Sequence, residues 1–178
     1  MKQHLLILIA LSVCLAAFSG CAVPDASPSE VPAAHGGSVT DQASDFPAEP
    51  PHLGVGNGNA TVTAWRGTCS WLVENEDGTG SGINTDTMHP LDCKEGIPSL
   101  KMMKRGTLIL RLEEAPTSIT VRRYRLNSSD YDAYEEIPVE DGTIKVKPGN
   151  YLYEVIVKWN HPGKPYSGTV YYAFSTEK

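Results

Sequence analysis

Apolar and polar residues alternate through the last two thirds of the chain, broken at short intervals by turn residues. That period of two predicts β-strands, not helices. The predicted strands cover 61–65, 69–73, 107–112, 118–126, 136–139, 143–146, 151–159 and 167–175. Within 107–112, Leu108, Leu110 and Leu112 share one face. Within 151–159, Tyr151, Tyr153, Val155, Val157 and Trp159 share a face, and Leu152, Glu154, Ile156 and Lys158 take the other. Val170, Tyr172 and Phe174 line up in the last strand, against Tyr171 and Ala173. Turn chemistry separates these runs at Asn75-Glu76-Asp77-Gly78, Asp141-Gly142, Pro148-Gly149-Asn150 and His161-Pro162-Gly163. Asp-Gly between two alternating runs is a strong hairpin signal. About eight short strands with turns every ~8–12 residues predict an all-β fold, an antiparallel β-sandwich. Residues 59–178 suffice for one core and not two, and no internal repeat or amphipathic helix interrupts them.

The N-terminal third follows a different pattern. Lys2 precedes an almost purely apolar run from Leu5 to Ala17, which ends in Phe18-Ser19-Gly20-Cys21. A charged start, a 7–15-residue apolar stretch and small residues at the cut describe a secretory signal, too short to span ~30 Å of hydrocarbon comfortably. Ser19-Gly20-Cys21 resembles the lipobox of bacterial lipoprotein precursors, although Phe18 stands where that family has an aliphatic residue. The resemblance implies that residues 1–20 are removed, that Cys21 becomes the new N-terminus, and that its thiol carries diacylglycerol. Two or three acyl chains on one residue, palmitate among them, anchor stably where a single chain does not. The competing reading is an ordinary signal peptide cut elsewhere, or a retained anchor. Residues 21–58 hold scattered Pro, Ala, Ser and Gly with hardly an aromatic, and all their charges are acidic: Asp25, Glu30, Asp41, Asp45 and Glu49. Such a segment buries too little apolar surface to order itself and is expected to be a disordered tether.

Charge and cysteine count refine this. The formal net charge of −6 falls mostly on the tether, leaving −2 from residue 59 onward. A near-neutral domain lacks the basic stripe that nucleic-acid binding needs. Of four cysteines, Cys14 leaves with the signal and Cys21 is taken by lipid, so Cys69 and Cys93 remain. In an oxidising compartment they are expected to pair, closing a loop worth ~3 kcal/mol by the chain-entropy argument. Two buried free thiols are the alternative.

Candidate chemistry concentrates between Asn75 and Leu100, where the strand rhythm lapses. A long ordered loop on a rigid scaffold is where function usually sits, and Asp77, Asp86, His89 and Asp92 are its candidate binding residues. An EF-hand fails there: with Gly78 at position six, position one is Val73 and position twelve Asn84. The Asp86, His89, Asp92 spacing is poor in the His and Cys that zinc prefers. No nucleophile elbow frames a serine, so no metal, cofactor or catalytic set is assigned. A metal-dependent hydrolase using residues 75–95 is the alternative.

Arg122-Arg123-Tyr124-Arg125 reads as a solvated edge strand, its charges paired with Asp130, Asp132, Glu135 or Glu136 across a hairpin. Trp65, Trp71, Tyr151, Tyr153, Trp159, Tyr166, Tyr171 and Tyr172 are expected mainly in the core, with a carbohydrate platform as their alternative. The segment from Asp141 to Val155, with its Pro-Gly-Asn-Tyr turn, resembles the closing hairpin of immunoglobulin-like surface modules. The stretch from Trp71 to Ile83, followed by 86–92, is similar to a module of Gram-positive surface proteins that also occurs beside membrane metallopeptidases of the β-lactam-sensor type. These resemblances imply an immunoglobulin-like module that binds a cell-surface protein or cell-wall glycan outside the membrane, without catalysis.

Overall fold

Strands form where the alternation is strongest, and their apolar faces turn toward one another. The computed structural model describes residues 47–178. In chain order the strands are β1 (Leu53–Gly56), β2 (Thr61–Thr63), β3 (Trp65–Glu74), β4 (Gly80–Thr85), β5 (Ser99–Lys101) and β6 (Gly106–Leu112). They continue with β7 (Ser118–Arg125), β8 (Glu135–Ile137), β9 (Val139–Glu140), β10 (Thr143–Val146), β11 (Tyr151–Asn160) and β12 (Tyr166–Glu177). A single 3₁₀ turn, Lys94–Gly96, is the described helical element. The smaller sheet runs β2-β1-β6-β10-β9 and the larger β4-β3-β12-β11-β7-β8. Pairing is antiparallel throughout except for β5, which lies parallel to the C-terminal end of β12. The fold is an all-β sandwich, built from twelve strands where eight were expected.

Between the sheets, Leu53, Val55, Leu108, Leu110, Ile144 and Val146 of the smaller sheet meet the inward residues of the larger one. Trp71 sits at one end of this core. Its ring stacks on Tyr166 at 5.4 Å and meets the edge of Trp159 at 5.4 Å. Both indoles find acceptors, Trp71 Nε1 on the Pro47 carbonyl at 3.2 Å and Trp159 Nε1 on the Glu114 carbonyl at 3.3 Å, which keeps the burial of a polar N–H from costing its full desolvation. At the other end Tyr153 stacks on Phe174 with 4.8 Å between centroids.

Three features depart from expectation. The folded domain begins before residue 59. Leu53 and Val55 are fully buried on β1, and the carbonyls of Pro47, Pro50 and Pro51 accept hydrogen bonds from Trp71, Arg66 and Tyr172. Proline lacks an N–H but keeps its carbonyl, so a proline-rich strap can be tied down through its acceptors alone. Signal residues 1–20, Cys21 and the tether up to residue 46 lie outside the described residues.

Second, 65–74 is one strand with a bulge. Cys69 faces Val170 and Arg66 faces Tyr172, so three steps on β3 match two on β12. The extra residue at Gly67–Thr68 reverses which side chains point inward. Cys69 and Trp71 enter the inter-sheet core, while Trp65 joins a cluster on the outer face. A Cβ on Gly67 would lie 2.8 Å from the Trp65 ring, so glycine is what lets that ring fold back over the bulge.

Third, Gly80–Thr85, expected as part of a long loop, pairs along β3 as a hairpin strand. Its glycines hid it. The Asp141-Gly142 turn does close β9 onto β10, with φ of 49° and 68° at its two residues, as a two-residue hairpin turn of this hand requires.

Gly168 tests how tightly β12 lies on β3. A Cβ there would fall inside contact distance of the Ser70 carbonyl and 2.7 Å from the Trp71 ring, while one on Gly54 would rest 3.6 Å from Arg111 Cβ. Gly168→Ala is therefore expected to destabilise by roughly 1–3 kcal/mol, and Gly54→Ala by less than about 0.5 kcal/mol, measured as shifts in the urea midpoint.

Candidate functional site

β11 carries Leu152, Glu154 and Ile156 on the face turned away from the smaller sheet, and all three are buried. An outward face can be buried only if something covers it. The cover is the segment after β4, whose Leu91, Cys93 and Ile97 pack onto Tyr124, Leu152 and Ala173, with Trp65 and Leu126 at the margins. Residues 126–134, between β7 and β8, join this cover. Lys94 Nζ donates to the Ser128 carbonyl at 3.1 Å and the Tyr131 hydroxyl to Asp92 Oδ2 at 2.5 Å. The roof is thus two loops fastened to each other and to the sheet.

Beneath its edge runs a row across four strands: Arg122 on β7, Glu154 on β11, Ala173 on β12 and Trp65 on β3. Ala173 is sealed under the roof, and at the edge of this row a pocket of about 250 Å³ opens, lined by Trp65, Met88, His89, Pro90 and Tyr171 together with Glu154. The Glu154 side chain is 6% exposed. Its Oε2 accepts from Arg122 Nη1 at 3.4 Å and from the Tyr124 hydroxyl at 3.3 Å. Burial pushes the Tyr124 hydroxyl up to about 12, and the nearby Glu154 charge pushes the same way. Arg122 is held from above by Tyr134, 4.7 Å from guanidinium to ring centre.

His89 stacks on Tyr131 at 4.3 Å and meets Tyr124 edge-on at 5.4 Å. Its Nδ1 accepts the Leu91 N–H at 3.2 Å, which puts the proton of the neutral ring on Nε2. The Tyr131 phenol is raised above its ordinary value by the bond to Asp92. Met88 and Tyr131 stand out from this surface, 67% and 46% exposed.

Of the four loop residues singled out from sequence, His89 and Asp92 meet on either side of Tyr131. Asp86 lies at the end of β4, accepting from Thr68 Oγ1 at 3.4 Å. Asp77 belongs elsewhere. It caps the β3–β4 turn by accepting from the Thr79 N–H and hydroxyl at 2.9 and 2.6 Å, bonds that lower its carboxyl. The whole of β4 separates it from Asp86, roughly 20 Å of extended chain. Among the described residues no three His, Cys, Asp or Glu side chains gather as a metal-binding group, and the hydrolase alternative gains no ligand set from the fold.

The expected Cys69–Cys93 disulfide does not form. Cys69 is buried between the sheets and Cys93 packs against the outer face of the larger sheet, its Sγ facing the His89 and Pro90 carbonyls at 3.7 and 3.9 Å. The sheet itself stands between the two sulfurs.

The Arg122–Arg125 run also needs correcting. β7 lies inside the sheet, between β11 and β8, and Arg123 is buried. Its guanidinium bonds to Glu135 across the hairpin and lies 4.9 Å from the Tyr151 ring centre. The Tyr153 hydroxyl is buried beside it without closing a hydrogen bond of good geometry. Of the eight aromatic residues expected mainly in the core, Trp71, Tyr153, Trp159, Tyr166 and Tyr172 are there, Tyr151 packs against its margin, and Trp65 and Tyr171 line the pocket. Glu154, Tyr131, Tyr134 and Met88 were not singled out. The signal that could have found the first is a carboxylate in the middle of an otherwise apolar strand.

No family model, curated protein or solved structure matches the chain, so the site is read from its geometry.

Two outcomes follow from these contacts. Thiol titration of unreduced, denatured residues 47–178 is expected to find two thiols, with Cys93 slow to alkylate in the native protein because burial and neighbouring Asp92 raise it. Reductant should leave the urea midpoint unmoved. Separately, the hydrogen bond from Arg123 holds the Glu135 carboxyl below its ordinary value. The stability it supplies is complete above the unfolded value of about 4.3 and disappears as pH falls through the lowered folded value. Glu135→Gln should therefore cost up to about 1 kcal/mol at pH 7, the pair being half in solvent, and converge with the parent chain in acid.

Proposed function

We propose that this protein is a lipid-anchored, extracytoplasmic binding module without catalytic activity, and that the roofed outer face of its larger sheet is the recognition surface. The observation that carries this reading is the pocket under the 86–98 loop. It joins aromatic side chains, a buried carboxylate and exposed Met88, with exposed Tyr131 stacked on His89 next to it. Concave sites with apolar walls and a few fixed polar groups are the usual form of a ligand site, and exposed aromatics supply contact area at small entropic cost.

The anchor rests on the Leu5–Ala17 run and Ser19-Gly20-Cys21. The likeness of 141–155 to immunoglobulin-like surface modules agrees with display outside the membrane, where a cell-surface protein or cell-wall glycan would be the partner. The catalytic alternative has nothing comparable behind it. His89 offers Nε2–H, yet no serine, cysteine or carboxylate is hydrogen-bonded to that nitrogen among the described residues.

Mass spectrometry of protein extracted from host membranes is expected to find an N-terminus at Cys21 bearing thioether-linked diacylglycerol, and Cys21→Ala should move the protein to the soluble fraction. An unmodified Cys21 in membrane-bound protein would sink the anchor. For the surface, the double variant Met88→Ala, Tyr131→Ala removes two exposed side chains together with the Tyr131 contacts to His89 and Asp92, and should cost about 1–2 kcal/mol while the sandwich stays folded, measured as a shift in the urea midpoint. It is expected to lower retention on isolated cell envelopes at least tenfold; equal retention overturns the assignment of this face.

A further inference from the structure

We infer that the pocket under the 86–98 loop receives a primary ammonium group on an unbranched chain, such as a lysyl side chain or a free alkylamine, seated against Glu154. This rests on the reading of the same face as the recognition surface and names its ligand class.

Four observations converge. Glu154 is 95% buried yet lines the pocket, the single acidic side chain among the residues that do. Both of its hydrogen bonds, from Arg122 and Tyr124, fall on Oε2. The second oxygen, Oε1, takes none of the hydrogen bonds found among the described residues, and it is not one of their enclosed, unpartnered polar atoms, so it stands open to an incoming donor. Arg122 does not fill that role, because it reaches Glu154 from β7 and is held under Tyr134, on the side away from Ala173. The space lies on the β12 and β3 side of Glu154, where Trp65, Tyr171 and His89 line the pocket with it.

The walls fit the same ligand. Trp65, Tyr171 and His89 surround the space, and aromatic faces attract a cation through the ring quadrupole, most strongly where water is excluded. Met88 and Pro90 offer apolar surface along which methylene groups can lie. A volume of about 250 Å³ lies below the ~300–1,000 Å³ usual for whole drug-sized ligands, which suits one side chain or a short amine. A quaternary ammonium would satisfy the rings but has no N–H for Oε1, so the carboxylate selects a primary one. Beyond the pocket, past shared Thr68 and Tyr171, a wider groove lined by Ser70, Asn84, Asp86 and Lys158 gives room for whatever the amine is attached to.

The test is calorimetric titration of the purified full-length chain in non-ionic detergent and amine-free phosphate buffer. Probes are n-butylamine, cadaverine and Nα-acetyl-lysine methylamide, with butanol, butyrate and tetramethylammonium for comparison. Saturable binding of the three amines is expected, at least tenfold weaker for tetramethylammonium and absent for butanol and butyrate. Tighter binding of the lysine amide than of cadaverine assigns a peptide source, and the reverse a free amine. Glu154→Gln should weaken the amines at least tenfold. Because Glu154 is buried, Met88→Lys and Met88→Glu provide a second pair on a side chain that is mostly in solvent: the first should weaken and the second strengthen binding, each severalfold. No amine binding, or equal binding by butanol, overturns the proposal. If amines fail while the Met88→Ala, Tyr131→Ala variant still loses envelope retention, the ammonium assignment falls and the surface stands. If both fail, both fall.

Discussion

A strand that is apolar on both faces has to be covered twice, and β11 imposes that requirement on the rest of the molecule. Its inner residues, Tyr153, Val155, Val157 and Trp159, are met by the smaller sheet. Its outer residues include Leu152 and Ile156, each able to contribute about 1.5–3 kcal/mol if taken out of water. A two-layer sandwich leaves those exposed. The third layer here is made of loops, and loops carry unpaired backbone groups that resist burial. The solution is a roof that meets its own backbone needs locally, through the 3₁₀ turn at Lys94–Gly96 and the Leu91 N–H on His89, while sending down Leu91, Cys93 and Ile97.

The bulge in β3 belongs to the same solution. Without the extra residue at Gly67–Thr68, Trp65 and Trp71 would share a face, both inside an inter-sheet space already filled by Trp159 and Tyr166. With it, one tryptophan anchors the core and the other walls the pocket. The pocket is then what remains at the edge of the roof, between Trp65, Tyr171 and His89. A buried Glu154 in that position is costly unless partnered, and Arg122 and Tyr124 partner only one of its oxygens.

Legibility in the sequence followed the physics of each element. β6, β7, β10, β11 and β12 were readable because their residues alternate along the strand between turn residues. β1 was not, since Leu53 and Val55 sit just after Pro50-Pro51 in an acidic stretch whose composition argues for disorder; its place in the sheet comes from pairing with β6, a partner more than fifty residues away. β4 was hidden by glycine and polar residues that nothing covers. The sequence pattern placed Leu152 and Ile156 with Glu154 and Lys158 on the outer face of β11 without revealing the cover over Leu152. It could not say which loop supplies it, because that depends on the bulge and on contacts such as Tyr131 with Asp92. The same gap explains the cysteines: their spacing in the chain allowed a bridge, and only the sheet between them forbids it.

β12 lies at the middle of the larger sheet, pairing with β11 along one edge and with β3 and β5 along the other, yet it is the last of the described strands in chain order. Until it arrives, the β3–β4 hairpin has no neighbour, Trp71 has no Tyr166 to stack on, and Pro51 has no Tyr172 hydroxyl to accept. The larger sheet therefore cannot close before β12 is in place, even though the smaller sheet and the β11-β7-β8 set are built wholly from residues that precede it.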